Sequence, residues 1–186
     1  MPDDALDTPN PDQAWKALSI TNEWIRHADS KTGVTLAFVG ATATMLFKLL
    51  ENQSKWTLPI IISATITTVA MILAVLFAIT ALFPRVRNRE QRAKHPESTA
   101  GAEESINLLF FGDVHRNYRD DRPTYRDVLS LLTSDATRLT GQIADQIHAN
   151  AHIASVKFQH ANRAISCELL AMAAISGVAF IKVLGW

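Results

Sequence analysis

Cysteine, net charge and catalytic motifs are all scarce in this sequence. Its one cysteine, Cys167, cannot form a disulfide within the chain, so the disulfide framework of small secreted domains is excluded. The 186 residues contain 18 basic and 18 acidic side chains, and this balance lacks the strongly basic composition that indicates nucleic-acid binding. We therefore expect no nucleic-acid partner.

The sequence also lacks the motifs of the common enzyme classes. It has no glycine-rich phosphate loop, no nucleophile elbow and no cysteine pair for zinc. His148 and His152 have the four-residue spacing of metal ligands on a helix, but the glutamate of a zinc-protease motif does not accompany them. We expect a protein that is not an enzyme and that needs no cofactor or metal.

A charge-free run from Leu58 to Phe83 is the main feature that is present. Its 26 residues would form a helix about 39 Å long, which exceeds the roughly 30 Å hydrocarbon core of a bilayer. The run contains several serines and threonines, whose hydroxyls can bond to a carbonyl one turn back and are therefore tolerated in lipid. This run predicts a transmembrane helix, here taken as residues 58–83.

Two further membrane spans are predicted, one on each side of this run. Residues 32–50 form an apolar stretch that directly continues a helix starting near Gln13. Residues 165–186 form the third candidate, although their uncharged centre is too short to cross, so Glu168 and Lys182 must reach the headgroups. A helix that lies on the membrane surface is the alternative for this third segment.

The distribution of charge predicts the orientation. Five basic residues follow the second span: Arg85, Arg87, Arg89, Arg92 and Lys94. Cytoplasmic flanks of membrane helices collect Lys and Arg, so the N-terminus and residues 84–164 are predicted to be cytoplasmic. A nucleotide- or lipid-binding patch is the alternative explanation of this cluster.

The remaining segments complete the predicted organisation. Residues 1–11 are acidic, rich in proline and unlike a signal peptide, so we expect a disordered tail and spans that are retained. Asp12 is expected to cap the first helix. We expect residues 12–186 to form a single membrane module. The apolar segment INLLFF at 106–111 is too short to span a membrane, so we expect it to pack in a soluble core. We assign Phe110 and Phe111 to that core, because adjacent aromatic residues point in different directions and at least one is needed for packing.

Three segments, in their order around the spans, resemble the Pycsar transmembrane effectors, the membrane partners of bacterial pyrimidine cyclases in antiphage defence. They are ADSK at 28–31, INLLFFGDV at 106–114 and QIHANAHIASVKF at 146–158. The resemblance covers nearly the whole chain after the tail. It implies a multi-pass protein of the bacterial inner membrane that binds cyclic UMP or cyclic CMP made on phage infection. Binding would then damage the membrane and cause cell death and abortive infection.

Polar residues of the chain suit such a ligand. A cyclic pyrimidine nucleotide carries one negative charge, a ribose hydroxyl and a base with amide-like edges, so its site needs a basic group and Asn, Gln or Asp side chains. Each candidate taken singly also fits local capping, turn formation or solvation. The candidate ligand-binding residues are Asp29, Lys31, Asn107, Asp113, Arg116, Gln142, Gln146, Asn150 and Lys157, with Tyr118 as an aromatic partner.

These inferences combine into an all-α integral membrane protein with three transmembrane helices and a helical cytoplasmic sensor region. Three packed helices leave no lumen, so one chain cannot enclose a water-filled path through the membrane. We therefore expect a homo-oligomer in the active state. Small residues for close helix packing lie at Gly33, Ala37 and Ala41 on the first span, and at Ala173 and Gly177 on the third. Those faces are equally suited to closing the monomer. The alternative function is a structural or scaffolding membrane protein whose cytoplasmic helices bind a protein partner.

Overall fold

The structure, a computed structural model, describes residues 9–51, 53, 56–83 and 106–183. Within these residues it contains five α-helices and no strand: α1 (Pro11–Leu50), α2 (Leu58–Leu82), α3 (Phe111–Tyr118), α4 (Arg122–Ser134) and α5 (Ala136–Val183). Helices α1, α2 and α5 are long and apolar enough to cross a membrane. The all-α prediction with three candidate spans is therefore confirmed. The basic cluster at 85–94, residues 1–8 of the predicted tail and the last residues of the third span lie outside the described residues.

The described residues divide into two compact units. The first unit contains residues 9–23 and 106–152, and the second contains residues 24–83 and 153–183. Helices α1 and α5 each contribute one segment to both units. Helices α3 and α4 belong to the first unit, and α2 belongs to the second.

The first unit has an ordinary apolar core. Leu18 of α1, Leu132 of α4, and Leu139 and Ile143 of α5 are buried together with Leu108. Burial of each such side chain contributes about 1.5–3 kcal/mol. This core is the reason why the short helices α3 and α4 form beside the two long ones, since helices of their length are marginal alone.

Side-chain oxygens set the starts of the helices. The Asn10 side-chain Oδ1 accepts hydrogen bonds from the backbone N–H groups of Asp12 and Gln13 at 3.0 and 3.3 Å. Asn10 is thus the cap of α1, and the expectation that Asp12 has this role is wrong. The shift is small because either side chain can satisfy a free N–H in the first turn. Asp121 and Asp135 cap α4 and α5 in the same way.

The segment before α3 corrects a second expectation. Leu108 is buried, but the Phe111 side chain is 77% exposed and Phe110 is half-buried, and neither phenylalanine belongs to the core of the first unit. The two rings instead pack on each other, with 4.8 Å between their centroids. The helix begins at Phe111, and an added Cβ at the next residue, Gly112, would come within 2.7 Å of the Phe110 ring.

In the second unit many small side chains are buried and many large apolar side chains are exposed, which is the reverse of the pattern in a water-soluble protein. Helix α2 buries alanines at 64, 70, 74, 78 and 81, and α5 buries alanines at 161, 164 and 171. Large apolar side chains of α2 point outward instead, including Ile62, Ile72 and Leu76. Small residues let helices approach closely, and an exposed belt of Ile, Leu and Val is compatible with lipid rather than with water.

Glu168 does not behave as a flanking charge of the third span. Its side chain is buried, and its Oε1 accepts a hydrogen bond from Thr42 Oγ1 at 2.6 Å. The expectation that Glu168 reaches the headgroups is therefore wrong. The physical reason is that a hydroxyl on the neighbouring helix lies within hydrogen-bond distance of the buried carboxyl.

Candidate ligand site

The two units divide the nine candidate residues into two sets. Asp29, Lys31 and Lys157 belong to the second unit. The other six belong to the first unit: Asn107, Asp113, Arg116, Gln142, Gln146 and Asn150.

Asn107 and Gln142 hold the segment that precedes α3 against α5. The Asn107 Nδ2 donates to the Gln142 carbonyl oxygen at 3.3 Å, and the Leu108 N–H donates to Gln142 Oε1 at 2.8 Å. The Asn107 Oδ1 also accepts the Leu109 N–H at 2.9 Å. These bonds satisfy backbone groups of a segment that has no regular structure, which is the main role that the geometry indicates for both amides.

Asp113 is the polar centre of the first unit. Its side chain is 5% exposed, its Oδ2 accepts the Asn107 N–H at 3.1 Å, and its Oδ1 accepts Arg116 Nη2 at 2.8 Å. The Arg116 side chain is 56% exposed, so much of its guanidinium faces outward. Asp113 thus orients an accessible guanidinium, the group best suited to bind a phosphate.

A row of amides follows α5 toward the end of the first unit. Gln146 Nε2 donates to Asn150 Oδ1 at 3.0 Å, and Asn150 Nδ2 donates to Asn22 Oδ1 at 2.8 Å. Asn22 on α1 was not among the candidates, although it precedes Asp29 by two helical turns on the same stripe. These amides can offer hydrogen bonds to a pyrimidine base edge.

In the second unit the ion pair between Asp29 and Lys157 joins α1 to α5. The Lys157 Nζ donates to Asp29 Oδ1 at 2.5 Å, and the side chains of Lys157 and Asp29 are 8% and 40% exposed. The predicted residues therefore meet, although they lie 128 positions apart in the sequence. Because the lysine is the buried partner, the carboxylate mainly serves to neutralise it.

A groove of about 730 Å³ lies between α1 and α5 in the second unit. The groove surface is predominantly apolar, and one end is lined by Trp24, His27, Ser30, Lys31 and Phe158. The Lys31 Nζ lies 5.1 Å from the centroid of the Phe158 ring, and the Trp24 ring meets the edge of Phe158 at 5.9 Å between centroids. The groove thus combines a cation, two aromatic rings and hydrogen-bonding groups at one end.

The other end of the groove is apolar, except at its base. Val34 and Phe38 of α1 face Leu169 and Met172 of α5, and Glu168 contributes a carboxyl. The volume is within the range of about 300–1,000 Å³ that is usual for small-molecule sites. We term this cavity the α1–α5 groove.

Of the nine candidates, Lys31 alone lines this groove. Trp24, His27, Ser30 and Phe158 were missed, although Trp24, His27 and Lys31 have the spacing of one helical face in the sequence. Phe158 lies far away in the sequence, so only the packing of α5 on α1 places it there.

The chain is similar to known proteins over nearly its whole length. Residues 13–184 match a family described as "Pycsar effector protein domain". The chain is also 32% identical over 182 residues to a protein of Propioniciclava tarda named "Pycsar effector protein PtPycTM", covering 98% of this chain and 85% of that protein. No solved structure matches the chain.

Proposed function

Since the chain belongs to the Pycsar effector family and is therefore an antiphage-defence effector, we propose that it is the receptor for the alarm signal. The signal is a cyclic pyrimidine nucleotide, cyclic UMP or cyclic CMP, made on infection by a partner pyrimidine cyclase. Binding of this ligand makes the three membrane helices impair the bacterial inner membrane, which ends in cell death and abortive infection. The N-terminus and residues 84–164 face the cytoplasm, where the nucleotide is made.

The observation that carries the proposal is the polar end of the α1–α5 groove. Lys31 supplies one positive charge for the single negative charge of the cyclic phosphate. Trp24 and Phe158 supply faces or edges for the pyrimidine ring, and aromatic stacking of this kind contributes about 1–3 kcal/mol per base. Ser30 and His27 supply hydrogen bonds for the ribose hydroxyl and the base.

The other candidates have separate roles within their own units. Lys157 and Asp29 lie outside the groove lining and fix α1 to α5 by their ion pair. Asn107, Asp113 and Gln142 hold the first unit together, and Asp113 orients Arg116. Arg116 is the candidate for a separate phosphate contact within the first unit because its guanidinium is accessible and already oriented.

Membrane impairment requires more than one copy of the chain. Six residues of α1 define its core face: Ala28, Thr32, Thr35, Val39, Thr42 and Leu46. At 100° per residue, Gly33, Ala37 and Ala41 lie on the far side of the helix, where they are exposed. An added Cβ at Gly33 meets no atom within 4 Å in the described part of the chain. This open face of small residues is where a second copy associates.

The proposal is tested by calorimetric binding to the purified full chain in lipid nanodiscs. We expect cyclic UMP or cyclic CMP to bind, and the linear monophosphates not to bind. Lys31→Ala should weaken binding by at least about tenfold, the loss expected for one charge-assisted contact of about 1.4 kcal/mol. Arg126→Ala, an exposed arginine on α4, is the matched control and should leave the affinity unchanged.

Three outcomes separate the alternatives. A loss of affinity in Arg116→Ala but not in Lys31→Ala would move the phosphate contact from the groove to the first unit. Equal affinity in all variants would remove both cations from the site. Failure of every cyclic nucleotide to bind would contradict the receptor function and favour a scaffolding protein.

A further inference from the structure

One ionisable residue lies deep in the second unit, far from the polar end of the groove. Two contacts of α5 indicate its depth: His160 Nδ1 lies 3.2 Å from Thr80 Oγ1 in the last turn of α2, and Lys182 Nζ donates to the Leu49 carbonyl oxygen. At about 1.5 Å per residue, Glu168 is about 12 Å from His160 and about 21 Å from Lys182. His160 and Lys182 are thus about 33 Å apart along α5, which is close to the thickness of the hydrocarbon layer. In the proposed three-span topology, Glu168 therefore lies within the hydrocarbon layer.

The hydrogen bond between Thr42 and Glu168 is unusual for this unit. Several other hydroxyls of its helices bond to a carbonyl one turn back in their own helix: Thr32, Thr35, Thr44, Thr67 and Thr68. Thr42 instead donates to Glu168 Oε1 on another helix at 2.6 Å. The backbone does not need this bond, so its effect is to hold one oxygen of the carboxyl.

The second oxygen of Glu168 is the more informative one. Glu168 is 4% exposed, and its Oε2 has no hydrogen-bond partner within the described residues. The side chain nevertheless lines the α1–α5 groove. No salt bridge among the described side chains includes it.

A purely structural role does not require a glutamate at this position. Glutamine has nearly the same shape and could accept the same bond from Thr42 without bringing a carboxyl into the hydrocarbon layer. An ionised side chain there costs about 2.5–3.5 kcal/mol or more unless it is paired. Acidic residues inside membrane helices commonly mark the pathways of ions for this reason.

We propose that Glu168 is a cation-binding group in the leak pathway of the active effector, an inference that rests on the membrane impairment proposed above. In the resting chain, Thr42 holds one carboxyl oxygen against α1. Nucleotide bound between Trp24, Lys31 and Phe158 shifts α1 relative to α5, which breaks this bond and frees the carboxylate for K⁺ or Na⁺. Association of several copies then forms a ring of carboxylates, the arrangement that makes a pore selective for cations.

The test is the reversal potential of the leak across a planar bilayer that contains the full chain and cyclic UMP or cyclic CMP. Under a KCl gradient we expect the wild-type leak to favour K⁺ over Cl⁻. Glu168→Gln should abolish this preference for K⁺, which brings the permeability ratio to about 1, while the leak itself persists. Glu168→Asp should keep the selectivity, and Glu23→Gln, an exposed carboxyl of the first unit, should leave it unchanged.

The selectivity of the wild-type leak tests the role of Glu168 even if a variant fails to insert. A wild-type leak that is unselective or favours Cl⁻ would overturn the cation-binding role of Glu168 and leave the effector function intact. An unchanged permeability ratio in Glu168→Gln would overturn it as well. Absence of any leak with wild-type protein and either nucleotide would instead contradict the proposed function from which the inference starts.

Discussion

At the scale of single residues, the ion pair of Asp29 and Lys157 shows an asymmetry that can be measured. The lysine side chain is 8% exposed and the aspartate side chain is 40% exposed. Removing the carboxylate leaves a buried ammonium without its partner, whereas removing the ammonium leaves a carboxylate that water can still reach. The two substitutions should therefore have unequal effects on stability.

We expect Asp29→Asn to lower the free energy of unfolding by about 1–3 kcal/mol, and Lys157→Met to lower it by less than about 1 kcal/mol. The measurement is equilibrium unfolding of the full chain in detergent micelles. Lys48→Met is the control, because its pair with Glu51 is exposed on both sides and such pairs contribute about 0–1 kcal/mol. A larger loss in Lys157→Met than in Asp29→Asn would contradict this asymmetry, because methionine keeps an apolar stem of similar length and removes only the charge.

Residue-level interactions were also the hardest to predict from the sequence. Asp29 and Lys157 were both chosen as ligand contacts, yet their strongest partners are each other. Glu168 was taken as a flank because hydropathy reports the charge of a residue and not what lies beside it. Its partner Thr42 is 126 positions away in the chain, and no local spacing rule reaches that far.

At the scale of helices, prediction from sequence was more successful, since length and charge-free runs are local properties. The run from Leu58 gives α2, and the apolar stretches at 32–50 and 165–183 lie within α1 and α5. The position of the segment before α3 could not be predicted from local properties of the sequence. Ile106–Phe110 has no periodicity of its own, and its position depends on the amides of Asn107 and Gln142.

The open face of α1 yields a prediction about assembly. Gly33→Leu should abolish toxicity and depolarisation while preserving membrane insertion and nucleotide binding, because a leucine there would separate two copies of α1, and an added Cβ at Gly33 meets no atom within 4 Å among the described residues. Toxicity is measured by growth after expression with a pyrimidine cyclase, and assembly by crosslinking in cells. Gly177→Leu is less informative, since an added Cβ at Gly177 already lies 3.5 Å from Ser63 Oγ within the same chain.

Ala43→Leu provides the matched control for this experiment. Ala43 is exposed on the same helix but lies off the stripe formed by Gly33, Ala37 and Ala41. The variant should remain toxic. Crosslinking that finds only monomers of the wild-type chain, with depolarisation still following the signal, would exclude assembly through α1.

At the scale of the whole molecule, the second unit explains how a protein without catalytic motifs can act. Many of its large apolar side chains face outward and most of the buried residues of α2 are alanines, so close packing of small residues contributes much of the contact between its helices. Such packing can change partners at little cost in apolar burial because lipid solvates the exposed faces equally well. A ligand that binds between α1 and α5 therefore acts where the two helices already carry polar contacts, at Lys31 and at Glu168.

The central claim is that a cyclic pyrimidine nucleotide alone makes this protein permeabilise a membrane. It is tested most directly by release of a small fluorescent dye from liposomes that contain the purified full chain. We expect cyclic UMP or cyclic CMP to release the dye, and 5′-UMP or 5′-CMP at the same concentration to release none. Lys31→Ala should require at least about tenfold more nucleotide for the same release. Liposomes that stay sealed with both cyclic nucleotides, although the protein is inserted and folded, would contradict the account.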